Sequence, residues 1–237
     1  MARTVNQEAH AVRRDAFIDV AERMIQVKGY DKVSIQDVLG EVGASKGAFY
    51  HYFDSKAALL EAIIERMVDV GISRFGPQVV ESDRPAIEKF EGFFGDLAQY
   101  KAEHKDLIFG FMRTWLSDDN AVLREHFRRG LVGRLEPLMS TIVRQGVSEG
   151  VFQVTSPEAT GRVLVSLFQG MGEDATGLFL ALDAGTISLE QVEVRLSAYT
   201  EAFERILGAP PGSIAFTNIS VIRDWQRWSQ TYRKEHP

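Results

Sequence analysis

Lys46, Tyr50, His51, Tyr52 and Lys56 crowd into the short stretch Ser45–Lys56. The chemistry they offer is recognition of nucleic acid. A lysine ammonium bonds to a guanine edge or a phosphate, and Tyr and His side chains bond to phosphate oxygens. Gly47 removes a side chain where a helix backbone would otherwise be held away from base edges. Lys56 opens the following helix, so it offers a charge and a free helix N-terminus to a phosphate. The full candidate DNA-facing set is Ser34, Gln36, Ser45, Lys46, Gly47, Ala48, Tyr50, His51, Tyr52 and Lys56.

Two short helices must position that set. Ser34 suits an N-cap, and Asp37 three residues on completes a capping box. Ile35, Val38, Leu39 and Val42 then fall at i, i+3, i+4 and i+7, one apolar face. Gly43 stands where a helix end wants a residue tolerant of positive φ. Ser45 caps a second helix running through Tyr52, with Phe49 and Phe53 one turn apart and facing inward. Lys46, Gly47, Tyr50 and His51 are left facing outward. Two helices joined by a tight glycine-containing turn are a helix-turn-helix, whose second helix enters the major groove in DNA-binding versions. Spacing alone also fits an ordinary helical hairpin with exposed aromatics.

The run SKGAFYHYFDSKAALL, residues 45–60, closely resembles the signature of TetR-family transcriptional regulators. In that family a Ser-Lys-Gly opening leads to an aromatic Tyr-x-Tyr/His-Phe segment, then Ser-Lys and a Leu-rich fourth helix. The resemblance covers about the first quarter of the chain. One departure is Leu39 with Gly40, where the family usually has an alanine facing the recognition helix. The larger Leu39 bears on the angle between the two helices.

The chain has 237 residues, of which 45% are hydrophobic and 25% charged, as in ordinary globular proteins. It has no cysteine, which excludes disulfides and thiolate metal sites. The N-terminus is polar and charged, unlike a signal peptide, and no apolar run approaches the ~20 residues of a membrane span. A cytoplasmic protein without membrane contact is expected. Net charge is −6, yet residues 1–56 hold eight basic and eight acidic side chains. The whole excess of acid lies beyond residue 56 and helps orient the chain on DNA.

The pattern predicts an all-α fold. A three-helix helix-turn-helix domain, residues 1–56, is joined by a shared helix to a larger helical bundle for ligand and dimerisation, residues 57–237. Residues 1–10 read as a mobile arm, with Arg3 a candidate for the minor groove. Helix 1 is expected from about 13 to 28, with Phe17, Val20, Ala21 and Met24 as its core stripe. The fourth helix is expected to end near Phe75, at Gly76-Pro77. Later helices are expected near 84–103, 106–117, 120–149, 156–183, 188–207 and 217–234. Asn120, Ser156 and Ser188 are the candidate caps, and Pro137 is expected to kink or split its helix. Residues 213–236 form an extra amphipathic helix, docked through Ile219, Ile222, Trp225 and Trp228.

An aromatic-rich group of apolar residues in the bundle reads either as core or as the wall of a cavity for a small, largely apolar ligand. The TetR resemblance implies an effector there. The candidate pocket is Phe94, Phe109, Met112, Arg113, Trp115, Phe127, Phe168, Met171 and Glu173, the last with Gln169 one turn away. The resemblance also implies a homodimer through the last two family-like helices. Their candidate interface is Gly161, Leu164, Phe168, Val192, Leu196, Tyr199 and Phe203. A dimer presents two recognition helices to a palindrome.

These expectations converge on a ligand-responsive regulator, a repressor in the family's usual mode, that leaves a palindromic double-stranded operator when its effector binds. The alternative is a helical protein-interaction module whose DNA-binding motif is no longer used. Intact Lys46, Tyr50, Tyr52 and Lys56 argue against that. An enzyme is not expected, because no phosphate loop, nucleophile elbow or His-Glu metal pair occurs. Neither a metal nor a cofactor is expected.

Overall fold

Glycine and proline are absent before residue 29, so nothing in the sequence interrupts a helix there. In the computed structural model α1 accordingly runs Ala2–Lys28, about eleven residues further back than expected. The structure describes residues 2–215 and 219–235. Side chains are described for all of these except residues 2–8, 113, 119, 219, 220 and 232–235. The expected mobile arm is therefore replaced by helix, and the Arg3 side chain lies outside the described residues.

The helices that follow are α2 (Ile35–Val42), α3 (Lys46–Tyr50), α4 (Lys56–Glu81), α5 (Ala86–Glu103) and α6 (Lys105–Trp115). After a 3₁₀ turn come α7 (Ala121–Ser148), α8 (Pro157–Asp183), α9 (Leu189–Leu207) and α10 (Ile219–Glu235). No strand occurs among the described residues, and the all-α expectation holds.

Two prolines expected to interrupt helices do not. The fourth helix passes through Pro77 and ends at Glu81. A proline inside a helix removes one backbone hydrogen bond and crowds the preceding turn. Burial of Phe75 and Val79 on either side of it supports the continuous axis. Pro137 likewise lies inside an unbroken α7, between buried Leu135 and Leu138. The Asn120 side chain bonds back to the end of α6. It is buried at the end of the 3₁₀ turn, and its amide donates to the Thr114 carbonyl at 2.9 Å. Ser156 and Ser188 do cap α8 and α9.

The chain packs as two compact units. The first comprises the chain up to Met67 together with His104–Arg124. Its core joins Phe17, Ile18, Ala21 and Ile25 of α1 to Val38, Leu39, Phe49, Phe53, Leu60 and Ile63. The buried face of α1 is broader than the expected stripe because α6 also packs on this helix. Leu107, Phe111 and Met112 of α6 are buried, and the Tyr30 N–H donates to the Gly110 carbonyl at 2.8 Å.

The second unit comprises Val68–Glu103 and Glu125–Glu235. The α4 helix thus begins in one unit and ends in the other. Phe90, Phe93 and Phe94 of α5 pack with Leu135, Met139 and Ile142 of α7, Leu164 of α8 and Phe203 of α9. A side chain at Gly161 would place its Cβ 2.8 Å from the Ser140 backbone nitrogen, so α8 crosses α7 at a glycine. A smaller cluster of Leu182, Val192 and Leu196 takes in Ile222. There α10 docks on α8, with Trp225 edge-on to Phe179 at 5.8 Å and the Ser229 hydroxyl donating to Asp183 at 2.6 Å.

Candidate nucleic-acid interface

The capping box forms as expected. The Ser34 hydroxyl accepts from the Asp37 N–H at 3.1 Å, and the Ser34 N–H donates to the Asp37 carboxylate at 2.8 Å. The Ser34 hydroxyl and N–H hold the Asp37 carboxyl below its ordinary range. Gly43 ends α2 at φ +66°, and the Ala44 N–H returns to the Leu39 carbonyl at 3.0 Å. That left-handed step turns the chain by backbone geometry alone. Leu39, the residue larger than the family's usual alanine, is fully taken into the core.

Ser45 then caps α3, its hydroxyl accepting from the Ala48 N–H at 3.2 Å. The helix closes at Tyr50, with His51 as its C-cap, two residues earlier than expected. Phe49 fixes it from beneath. Its ring lies 5.7 Å from Phe17 and 5.5 Å from Phe53, and none of it is exposed. On the opposite face Lys46, Gly47, Tyr50 and His51 are all exposed. The Lys46 ammonium stands 5.8 Å over the Tyr50 ring, one turn on. A Cβ on Gly47 would meet nothing of the chain closer than 3.9 Å, so internal packing gives no reason for a glycine there.

The remaining candidates divide. Gln36 and Ser45 are exposed, Ala48 and Tyr52 are half-buried, and Ser34 spends its hydroxyl on the cap. Lys56 is half-buried. Its ammonium donates to the Tyr30 carbonyl at 2.7 Å and lies 4.0 Å from the Tyr30 ring centroid. Burial lowers the Lys56 pKa, while Asp31 and Asp37 oppose that shift. Burial, with Asp31 beside it, pushes the Tyr30 phenol up to about 12.

Two side chains on α1 join the surface without having been singled out. His10 lies 5.3 Å from the His51 ring and 4.6 Å from the Tyr52 ring, and Arg14 stands 5.5 Å over Phe53. A signal was available. His10, Arg14 and Phe17 fall at i, i+4 and i+7, so a helix extended backwards from Phe17 carries them on one face.

The candidate pocket residues are not one cluster. Phe94 is core, with its ring 5.5 Å from Phe168 and 5.5 Å from Phe203, and Phe127 and Met171 pack half-buried around it. Phe109, Met112 and Trp115 belong to α6 in the other unit, with Met112 buried. The Arg113 side chain lies outside the described residues. Glu173 is exposed, while its neighbour Gln169 is buried and donates to the Arg128 carbonyl at 2.6 Å. Asp174 pairs with Arg195 at 2.9 Å.

The candidate dimer face is corrected. Gly161, Leu164, Val192, Leu196 and Phe203 are buried inside a single chain, and Phe168 and Tyr199 pack half-buried against the same cores. The apolar stripes of α8 and α9 are consumed by the chain's own α5, α7 and α10. The small and apolar residues that these helices leave outward include Val163, Ser166 and Gly170 on α8 and Val194 and Ala198 on α9, with Val163 50% and Val194 68% exposed.

Among the described residues no group of three or more His, Asp or Glu could hold a metal ion, and no helix is long and apolar enough to cross a membrane. Residues 17–63 match the family model described as bacterial regulatory proteins, tetR family. The transcriptional repressor KstR2 of Mycolicibacterium smegmatis is 28% identical over 96 residues, 40% of this chain and 45% of the relative. The transcriptional regulator EthR of the same organism is 25% identical over 135 residues, 50% of this chain and 62% of the relative. The chain thus spans about half the length of these relatives. In fold it is similar to a TetR transcription regulator from Haloarcula marismortui, with a TM-score of 0.57 at 22% identity, covering 81% of this chain and 98% of that one. It is similar also to RolR, with a TM-score of 0.57 at 18% identity, covering 90% and 96%.

Proposed function

This chain belongs to the tetR family of bacterial regulatory proteins, and from that premise we propose that it is a ligand-responsive transcriptional repressor acting as a homodimer on a palindromic operator. The observation that carries the reading is the division of α3. Phe49 locks one side into the core while Lys46, Gly47, Tyr50 and His51 are exposed on the other. That is the arrangement a recognition helix needs in a major groove.

The dimer uses the outward stripe of Val163, Ser166, Gly170, Val194 and Ala198, whose small side chains let two copies approach closely about a two-fold axis. A small, largely apolar effector enters the larger helical domain, where half-buried Phe127, Phe168 and Met171 provide adaptable walls. It releases DNA because it binds the off-DNA conformation better. The α4 helix, common to both units, carries the change. A repressor that meets chromosomal DNA works in the cytoplasm.

Lys46→Ala and Tyr50→Ala are each expected to weaken binding to a duplex enriched by the wild-type chain by ~1–3 kcal/mol, measured by fluorescence anisotropy. Unchanged affinity in both variants removes α3 from the interface and favours a protein-interaction module.

A further inference from the structure

We propose that the Gln169 amide is the polar anchor of the effector site, and that the effector carries a hydroxyl on an otherwise apolar frame. The proposal rests on the ligand-responsive reading above and names the chemical class of the ligand.

Gln169 stands on α8 and reaches across to α7, where its side-chain nitrogen donates to the Arg128 carbonyl at 2.6 Å. That bond fixes which way round the amide lies. Turned over, it would set its oxygen against the Arg128 carbonyl oxygen, acceptor against acceptor. The amide oxygen is therefore the group left over. Gln169 is only 9% exposed, its Oε1 is out of reach of solvent, and no described residue donates to it. A buried acceptor without its hydrogen bond is costly, and native folds satisfy nearly all of them.

Room lies on the same face of the helix. Gly172, three residues on, is half-buried, yet a Cβ there would meet nothing within 4 Å. Phe127, Phe168 and Met171, half-buried against the core, supply the apolar walls.

The leftover oxygen selects the ligand. A hydroxyl donates to it, and its own oxygen can accept in turn. An ether or a hydrocarbon leaves the acceptor unmet, and a carboxylate brings acceptors only. An ammonium can donate, but the neighbouring acids of α8 offer it no buried counter-charge. Glu173 is exposed, and Asp174 is paired with Arg195 at 2.9 Å.

The probes are butylphenol, naphthol and decanol, each beside its methyl ether and the carboxylic acid on the same frame. Isothermal titration measures binding to the full chain, and anisotropy of an enriched duplex measures release. At least one hydroxyl probe is expected to bind the wild-type chain about tenfold or more tightly than its ether and its acid, and to release the duplex. Gln169→Leu is expected to bind the hydroxyl and the ether of that pair alike. Gly172→Leu, which fills the room, is expected to bind neither, and it decides the matter should Gln169→Leu fail to fold.

Ethers or acids that bind as tightly as the hydroxyls overturn the proposal. So does a hydroxyl preference that survives Gln169→Leu, or a Gly172→Leu chain that binds like wild type. Where the ethers or acids still release the duplex, the ligand-responsive reading stands and only the hydroxyl anchor falls. If no probe of any class binds or releases DNA, both fall.

Discussion

Phe49→Ala is expected to cost the first unit ~3–5 kcal/mol, the usual range for deleting a fully buried aromatic side chain, and to abolish DNA binding. The α3 helix has five residues, too few to hold helical form without packing. Its position rests on the Ser45 cap and on Phe49, whose ring sits between Phe17 and Phe53 with no exposed surface. Removing the ring leaves a cavity beneath the helix and frees Lys46 and Tyr50 from their common orientation. Urea unfolding gives the stability change, and anisotropy with an enriched duplex gives the binding change. A loss under ~1 kcal/mol with binding retained means that α3 is anchored by something other than Phe49.

Gly161→Val is expected to destabilise the second unit by ~1–3 kcal/mol or more, because it overpacks a helix crossing. A Cβ at residue 161 would lie 2.8 Å from the Ser140 nitrogen and 3.0 Å from the Ser140 Cα. Those are backbone atoms, which cannot step aside as a flexible side chain can. The whole of α8 must back away from α7, loosening the layer that holds Leu164 and Val165. Gly95→Ala is the comparison. That glycine is exposed on α5 with nothing within 4 Å, so alanine there gains roughly 0.5–1 kcal/mol from helix propensity. Thermal melts of the two variants should move in opposite directions. A Gly161→Val chain with wild-type stability and a weakened dimer would return this residue to the dimer face.

What was legible in the sequence was mostly local. The Ser34–Asp37 box, the Gly43 turn and the Ser45 cap are each closed within a few residues, so residue type and spacing define them. The outward face of α3 followed from Phe49 and Phe53 by helical periodicity. Features set across the fold were harder to read. Periodicity marks an apolar face on α8 and α9, but a chain's own neighbour and a second copy bury the same residue types. Val192 and Leu196 therefore looked like an interface although α8 and α10 already cover them. Pro77 and Pro137 read as breaks, because packing from buried neighbours such as Phe75 and Leu138 is invisible in a local window. The bond from the Lys56 ammonium to the Tyr30 carbonyl, twenty-six residues earlier, is likewise invisible in a local window.

The central claim is that two copies of α3 read one palindrome. The direct measurement enriches bound duplexes from a random pool with the full chain, sequences them, and then takes the mass of the complex in solution. The account predicts an inverted repeat with half-sites about one helical turn, 10–10.5 base pairs, apart. It also predicts an even number of chains per duplex and affinity that falls steeply with salt. No enrichment, or a single unrepeated site held by one chain, would contradict it.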